Sequence, residues 1–346
     1  MSVLQIITAV ILILDSIHID ADEMLCPSDH ICVPAANCGE TGDILYPCNE
    51  NYTHVCCSSS NTIVPAAGGI ESRISVFPSD CGIVSVTDRI TGGELAAMGQ
   101  FPWMALLGYT QRGINFMQFL CGGSIITNNH ILTAAHCISI DPSLKLQVVR
   151  LGEHNLETKK DCEGTVCTTY VEIEVERIIV HEGYNNKSLE NDIAIIKLQK
   201  SINFTEYIRA ICLPFDGISD RSIPTGGKLT VSGWGKTDSA NVGGSLKLMY
   251  TVVNVWDNLK CNNSVPPKIR PIRETQICAN GKKKQDSCKG DSGGPLVNST
   301  VIGQDYKTFQ VGIVSFSSAM ICGNVELPTI YTKLDSYEKW IVDNVE

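Results

Sequence analysis

Short runs of β-branched and apolar residues fill the chain after Ile90, and Gly, Asn, Asp and Pro separate them. Short apolar runs punctuated by turn residues favour an all-β barrel or sandwich. The carboxy-terminal segment Ser336–Val345 differs, because its apolar side chains recur at helical spacing. We expect a helix there, capped by Asp335 or Ser336. The clearest strand runs are Ser124–Ile126, Leu146–Val149, Val171–Val175 and Leu229–Ser232.

The amino terminus carries a different apolar pattern. Val3–Leu14 is apolar except for Gln5 and Thr8. This run is too short to cross about 30 Å of hydrocarbon, but it has the length of a signal-peptide core. We therefore expect a signal peptide over residues 1–21, with Ala21 as one candidate last residue. A buried helix of the mature protein is the alternative.

Charge and cysteine content narrow the class of protein. The 346-residue chain has a formal net charge of -10, which would repel phosphates, so we expect no nucleic acid or membrane partner. Its 16 cysteines form an even set, which suits disulfides and a secreted, extracellular protein. Zinc is disfavoured, because no Cys-x-x-Cys pair lies near a paired His motif. Five sequons are candidate glycan sites: Asn51, Asn186, Asn203, Asn262 and Asn298.

Cysteine density divides the chain into regions. Residues 26–57 contain six cysteines, and a segment this short cannot bury enough apolar area to fold without cross-links. Three disulfides would stabilise it by roughly 2 to 4 kcal/mol each. Six cysteines allow fifteen pairings, so spacing alone leaves the connectivity open. Residues 58–80 turn to Ser, Thr, Ala, Gly and Pro, which is the composition of a linker.

Three later segments carry the groups that a serine needs to hydrolyse a peptide. The reaction requires a hydroxyl, a base, an acid that orients the base, and donors for the developing oxyanion. His136 follows the run Leu-Thr-Ala-Ala, and Asp192 begins the run Asp-Ile-Ala-Ile-Ile. Ser292 lies in Gly-Asp-Ser-Gly-Gly-Pro, where the flanking glycines allow a tight turn that exposes the hydroxyl.

These segments, in the order His, Asp, Ser, resemble the chymotrypsin-type serine protease family over residues 90–346. The resemblance implies a serine endopeptidase with a double six-stranded β-barrel and a carboxy-terminal helix. It implies that Ser292 is the nucleophile, His136 the general base and Asp192 the group that orients the imidazole, as in the family template. The backbone N–H groups of Gly290 and Ser292 would form the oxyanion hole, each worth about 3 to 4 kcal/mol of barrier.

The segment Arg89-Ile90-Thr-Gly-Gly resembles the family's activation site. Cleavage after Arg89 by an upstream trypsin-like protease would free the ammonium group of Ile90, which in the family pairs with the acid before the nucleophile, here Asp291. A buried charge is costly without a partner, so the two groups would stabilise each other. The family pattern also implies three disulfides within the protease domain, Cys121–Cys137, Cys261–Cys278 and Cys288–Cys322. It further implies a local loop disulfide, Cys162–Cys167. A fifth disulfide, Cys81–Cys212, would tether the amino-terminal module to the protease domain.

The six amino-terminal cysteines resemble the clip domain of arthropod serine proteases, here over residues 26–57, with residues 58–89 as linker and activation segment. This resemblance implies a zymogen of haemolymph that acts in melanisation or Toll activation. Its partners would be a downstream zymogen, prophenoloxidase or a Toll-ligand precursor, an upstream trypsin-like activator and an inhibitory serpin. The implied disulfides are Cys26–Cys56, Cys32–Cys48 and Cys38–Cys57.

Substrate preference depends on the floor and walls of the primary pocket. Asp286 lies at the family's floor position, where an aspartate attracts substrate Arg or Lys. The resemblance also implies that Ser315 and Phe316 belong to the pocket. Trypsin-like members usually carry Gly directly after this pair and before the Ile-Tyr pair, but this chain has Ser317 and Thr329. These two side chains narrow the path to the acid. We expect trypsin-like specificity, with a restricted pocket for small side chains as the alternative.

The family requires no cofactor, but calcium is an open point. Glu153 and Asn155 begin a loop that binds calcium in some members, and the remaining oxygen ligands cannot be counted from the sequence. Two other classes of protein are weighed. A catalytically weak or non-catalytic clip-domain cofactor is disfavoured, because all three candidate catalytic residues are present. A digestive protease is disfavoured by the clip module and the Cys81 tether.

Overall fold

The structure is a computed structural model, and it describes residues 30–34, 54–58, 76–84, 94–139, 141–215, 223, 226–236, 244–266, 271–281, 290–302, 305–317 and 327–345. Several sequence predictions lie outside these residues: the signal peptide, the Arg89–Ile90 bond, Asp286, the Cys288–Cys322 pair and the Asn51 sequon. The chain divides into two compact units, Met1–Ser72 and Arg73–Glu346.

The smaller unit contains a two-stranded antiparallel sheet of β1 (His30–Pro34) and β2 (His54–Ser58). Its backbone register sets Cys32 opposite Cys56. An isolated pair of strands is marginally stable in water, so a unit built around one needs further support. Each of the three disulfides that the clip resemblance implies has at least one cysteine outside the described residues.

The first barrel of the larger unit is closed by six antiparallel strands, in the order β10-β11-β6-β5-β4-β7. Apolar side chains such as Trp103, Leu107 and Ile195 are fully buried in one core. A two-residue strand precedes the barrel, and a separate hairpin, β8-β9, interrupts it. The strands are β3 (Glu94–Leu95), β4 (Met104–Gln111), β5 (Ile114–Ile125), β6 (His130–Thr133), β7 (Leu144–Leu151), β8 (Lys160–Glu163), β9 (Val166–Thr169), β10 (Val171–Val180) and β11 (Ala194–Leu198).

The second barrel has the order β12-β15-β16-β17-β14-β13, and pairing of β12 with β13 closes it. Strand β3 adds to the edge of β13. Leu229, Val253 and Val311 are among the side chains buried in its core. The elements are β12 (Lys228–Gly233), β13 (Met249–Trp256), the helix α1 (Asn258–Ser264), β14 (Gln276–Asn280), β15 (Pro295–Ile302), β16 (Asp305–Ser317) and β17 (Thr329–Lys333).

The chain ends in a 3-10 turn, Leu334–Tyr337, and a helix, α2 (Glu338–Asn344). The double six-stranded barrel with a carboxy-terminal helix is thus confirmed. The predicted cap is wrong, because the N-cap of α2 is Tyr337 and neither Asp335 nor Ser336 provides a cap hydrogen bond. The Asp335 carboxylate instead pairs with Lys333 Nζ at 2.7 Å.

The segment 76–84 belongs to the larger unit and packs against later parts of it. Cys81 forms a disulfide with Cys212, and the Phe77 ring meets the Phe215 ring edge-on at 5.5 Å. Gly82 adopts φ 67°, and a Cβ there would overlap the backbone of Thr308, so only glycine fits. The other disulfides among the described residues are Cys121–Cys137, Cys162–Cys167 and Cys261–Cys278. None of the helices in the described ranges is long and apolar enough to cross a membrane.

Candidate active site

His136 lies in a 3-10 turn, Ala135–Cys137, directly after β6. The Cys121–Cys137 disulfide ties this turn to β5 of the same barrel. The His136 side chain is 22% exposed, so one edge of the imidazole faces solvent. The local sequence therefore places a basic nitrogen at the surface on a turn that packing and a cross-link hold in place.

Asp192 is almost fully buried just before β11, and its carboxylate accepts three hydrogen bonds. His136 donates two of them, from its backbone N–H to Oδ1 at 2.8 Å and from Nδ1 to Oδ2 at 2.8 Å. The Ser315 hydroxyl donates the third, to Oδ2 at 2.5 Å. With Nδ1–H held by the carboxylate, Nε2 is the imidazole nitrogen that is left to accept a proton.

Ser292 lies in a turn that needs glycines on both sides. Gly290 has φ 106° and Gly293 has φ 78°, which are backbone conformations that other residues rarely adopt. A Cβ at Gly293 would lie 3.1 Å from Cys137 Sγ. The turn of Ser292 therefore packs directly against the turn of His136. The Gly122 N–H also donates to the Ser292 carbonyl at 2.8 Å, which fixes the turn to β5.

The backbone N–H groups around Ser292 differ in whether they donate to a backbone carbonyl. Gly293 N–H donates to Val314 O at 2.8 Å, and Gly294 N–H donates to Asp291 O at 2.9 Å. Within the described part of the chain, the N–H groups of Gly290 and Ser292 have no such protein acceptor. Two amide donors on one turn are the feature that stabilises an oxyanion in acyl transfer.

Asp291, the residue before Ser292, has its carboxylate against the backbone of Gly233 and Gly235. Gly235 N–H donates to Asp291 Oδ1 at 2.7 Å. A Cβ on either glycine would overlap the Asp291 carboxylate. The sequence Gly233-Trp-Gly235 thus forms a cradle that admits this carboxylate because it has no side chains at two positions.

The described pocket residues lie on β16 and β17. Ser317 pairs with Thr329 across the two strands, so their side chains share one face of the sheet. Phe316 pairs with Ile330 on the other face and packs in a small apolar cluster. Ser315 was also expected at the pocket, and its hydroxyl donates to Asp192.

Sequence reasoning missed three residues that hold Asp192. Thr332 Oγ1 donates to the Asp192 carbonyl at 2.8 Å. Asn191 has a left-handed backbone, φ 55°, and its amide Nδ2 donates to Gly183 O at 2.8 Å. The buried Tyr337 hydroxyl donates to Asn191 Oδ1 at 2.9 Å. The contacts of Thr332 and Tyr337 span 140 and 146 positions, so no local pattern marks them. Only the bond from Asn191 to Gly183 is local.

The loop after β7, where calcium was an open point, is held by a guanidinium. Arg150 Nη1 lies 2.8 Å from Glu153 Oε2, and Arg150 Nη2 lies 2.7 Å from Glu172 Oε1. The guanidinium also lies over the rings of Phe119 and Tyr170, at 4.2 and 3.8 Å from their centroids. Burial raises the pKa of Glu153, and the hydrogen bond from Arg150 opposes that shift.

Asp161 is the other buried carboxylate of this loop. Its Oδ2 accepts from the backbone N–H groups of His154 and Asn155, at 3.2 and 3.1 Å. Calcium takes six to eight oxygen ligands, mostly carboxylates and carbonyls that point at the ion. Because the described carboxylates already face a cation and backbone donors, these residues do not fit a calcium site.

Comparison with known proteins agrees with this geometry. The model of the trypsin family matches residues 90–341. Phenoloxidase-activating factor 1 of Holotrichia diomphalia is 36% identical over 324 residues, covering 90% of this chain and 83% of the relative. CLIP domain-containing serine protease B4 of Anopheles gambiae is 37% identical over 325 residues, covering 92% and 83%.

A solved structure shows the same likeness. The crystal structure of Drosophila Grass, a clip serine protease of the Toll pathway, matches with a TM-score of 0.68 and 34% identity, covering 84% of this chain and 80% of that one. The chain therefore belongs to the trypsin family of serine endopeptidases. Within it, the chain is a clip-domain serine protease of the arthropod type. Enzymes of this family need no cofactor.

Proposed function

We propose that this chain is a secreted zymogen of an extracellular protease cascade and that Ser292 is its nucleophile. The observation that carries the proposal is the buried Asp192 carboxylate, which holds His136 through two hydrogen bonds while the Ser292 turn packs on the His136 turn. An orienting acid, a base and a serine hydroxyl are the parts that acyl transfer needs.

The chemical steps follow from these positions. Ser292 Oγ attacks the scissile carbonyl carbon while His136 Nε2 takes the hydroxyl proton, and Asp192 stabilises the imidazolium. The carbonyl oxygen becomes an oxyanion, and the N–H groups of Gly290 and Ser292 donate to it. Collapse breaks the C–N bond, and His136 gives the proton to the leaving amine. Water then repeats the sequence on the acyl-enzyme and frees Ser292.

Activation would begin with cleavage after Arg89 by an upstream trypsin-like protease. The new Ile90 ammonium group would pair with Asp291, whose carboxylate lies in the Gly233–Gly235 cradle beside the Ser292 turn. The Cys81–Cys212 disulfide supports the further proposal that the amino-terminal module stays attached after the cut.

For substrate preference we favour Arg or Lys before the scissile bond, with Asp286 as the attracting acid. Ser317 and Thr329 lie side by side on neighbouring strands, which supports the alternative of a pocket restricted to small side chains. The two alternatives differ in which residues determine the substrate preference, Asp286 at the floor or Ser317 and Thr329 in the walls. A charged floor selects a cation, whereas narrow walls select by size.

The pathway role rests on the relatives. One is named a phenoloxidase-activating factor, and another acts in the Toll pathway. We propose that this chain likewise acts in haemolymph, on a downstream zymogen, prophenoloxidase or a Toll-ligand precursor, under control of a serpin. Calcium is not part of the proposal, because Arg150 already supplies the cation of the candidate loop.

The test is hydrolysis of matched peptides after controlled cleavage at Arg89. One peptide series ends in Arg or Lys and the other in Ala, Val or Leu, and Ser292→Ala is the blank. We expect rapid hydrolysis of the first series by the cleaved protein and none by the Ser292→Ala variant. The cleaved protein should run as one band on a non-reducing gel and as two bands after reduction, because the Cys81–Cys212 disulfide joins its two parts. Preference for small residues would select the wall-dominated pocket. No hydrolysis above the blank would refute catalysis and favour a non-catalytic cofactor.

A further inference from the structure

An open groove flanks the turn that carries His136. It has a volume of about 570 Å³. It is lined by two segments of the chain, Ala135, Ile138 and Ser139 from the first, and Val180 and residues 182–186 from the second. The groove is thus lined by the residue before His136 and by two residues that follow it closely. A group that occupies the groove would lie beside the candidate active site.

Asn186 lies on the wall of this groove and begins the sequon Asn-Lys-Ser. The residue is exposed, and its amide makes no hydrogen bond to the described part of the chain. The preceding residue shapes the turn, because Asn185 Oδ1 accepts from the N–H groups of Lys187 and Ser188 at 2.9 and 3.3 Å. A turn of this kind leaves the Asn186 side chain and Ser188 open to an enzyme that modifies sequons.

Tyr184, two residues before the sequon, lines the same groove and is half-buried. An aromatic ring offers a rigid apolar surface, on which the apolar face of a sugar ring can pack. The groove thus provides space, and Tyr184 provides a surface, next to the atom that a glycan would be attached to.

The other described sequons lack this combination. Asn262 Oδ1 accepts a hydrogen bond from the Ile272 N–H at 2.9 Å, so this side chain is held by a contact within the fold. Asn298 lies within β15, half-buried and paired with Phe309. Asn203 is exposed but is not part of the groove.

We propose that Asn186 carries an N-linked glycan whose first sugars occupy this groove and shield the His136 side of the active site from macromolecules. The transfer uses a lipid-linked pyrophosphate oligosaccharide. The bond from sugar C1 to the pyrophosphate oxygen breaks, the bond from C1 to Asn186 Nδ2 forms, and the amide nitrogen loses a proton. The glycan would contact a folded substrate or inhibitor more than a short peptide, because a folded protein covers a wider area around Ser292. The shielding part of this proposal rests on the proposed function; the modification itself does not.

The first measurement is glycan occupancy on the full zymogen secreted from insect cells. Peptide mass mapping after enzymatic removal of glycans in heavy-oxygen water marks each modified asparagine. We expect Asn186 to be marked, and both Asn186→Gln and Ser188→Ala to lose one glycan. An unmarked Asn186 would overturn the proposal whether or not the protein is active.

The second measurement compares two forms of one cleavable sequence, a short peptide and the same sequence in a loop of a folded carrier protein. We expect the ratio of kcat/KM, carrier over peptide, to rise 3- to 10-fold in Asn186→Gln and to stay unchanged in Asn203→Gln. An unchanged ratio in Asn186→Gln would overturn the shielding. If the protein proves inactive, hydrogen exchange of residues 135–139 decides the point, since the glycan should slow it relative to Asn186→Gln and equal rates would refute contact.

Discussion

The buried His130, at the start of β6, should make the folded protein less stable at acid pH. The side chain is 2% exposed, and its Nδ1 lies 2.9 Å from Thr127 Oγ1. Its Nε2 has no hydrogen-bond partner among the described residues. Burial, with further contributions from Lys197 and Arg177, lowers the pKa of His130 from 6.5 to about 4.

The size of the effect follows from this shift. The folded state binds the proton less tightly than the unfolded chain, so acid favours unfolding. The stability is fully present above pH 6.5 and is lost as the pH falls towards 4. At about 1.36 kcal/mol per pKa unit, the buried His130 should lower the free energy of unfolding, relative to neutral pH, by about 3 kcal/mol at pH 4. The corresponding losses are about 2 kcal/mol at pH 5 and under about 1 kcal/mol at pH 6.

The assay compares the wild type with His130→Phe, which keeps a ring at the site and cannot titrate. Chemical denaturation between pH 4 and pH 8 is followed by tryptophan fluorescence, because all four tryptophans lie in the larger unit. The variant loses the Thr127 contact at every pH, so only the change with pH matters. We expect its stability relative to wild type to improve by about 3 kcal/mol between pH 7.5 and pH 4. Parallel curves would refute the argument.

Three further substitutions test other parts of the structure. Arg150→Met leaves Glu153 buried without its cation and should lower the free energy of unfolding by about 3 to 5 kcal/mol, measured by chemical denaturation. Gly235→Ala forces the Asp291 carboxylate out of its cradle and should reduce activity after cleavage at least 10-fold, measured with the peptide substrates. Tyr337→Phe removes the hydrogen bond to Asn191, the residue before the proposed catalytic Asp192, and should lower kcat about 2- to 10-fold at unchanged KM.

Each of these has a matched comparison. Arg150→Met combined with Glu153→Gln should recover much of the lost stability, and equal loss in the double variant would contradict the buried-charge argument. Gly122→Ala adds a methyl at an ordinary contact distance of 3.4 Å and should stay active, unlike Gly235→Ala. For Tyr337→Phe, a pH profile of kcat identical to wild type would indicate that the tyrosine only packs and does not position the acid.

The parts of the site that sequence analysis located are those with local causes. The Ser292 turn needs glycines at φ 106° and 78°, so its geometry is visible in the residues themselves. The carboxy-terminal helix was predicted from the helical spacing of its apolar side chains. In contrast, Thr332 and Tyr337 reach Asp192 and Asn191 from 140 and 146 positions away. Such contacts exist only once the barrels have closed, so no window of sequence contains them.

Ser315 shows the same limit within a single strand. Strict alternation along β16 would put Ser315 and Ser317 on one face of the strand. The pairing register with β17 shifts between Val314 and Phe316, so Ser315 is the extra residue of a β-bulge. A bulge re-aims a side chain, and here it turns the hydroxyl towards Asp192 while Ser317 keeps its place opposite Thr329. One inserted residue thus separates the hydroxyl that bonds to Asp192 from Ser317, a residue of the expected substrate pocket.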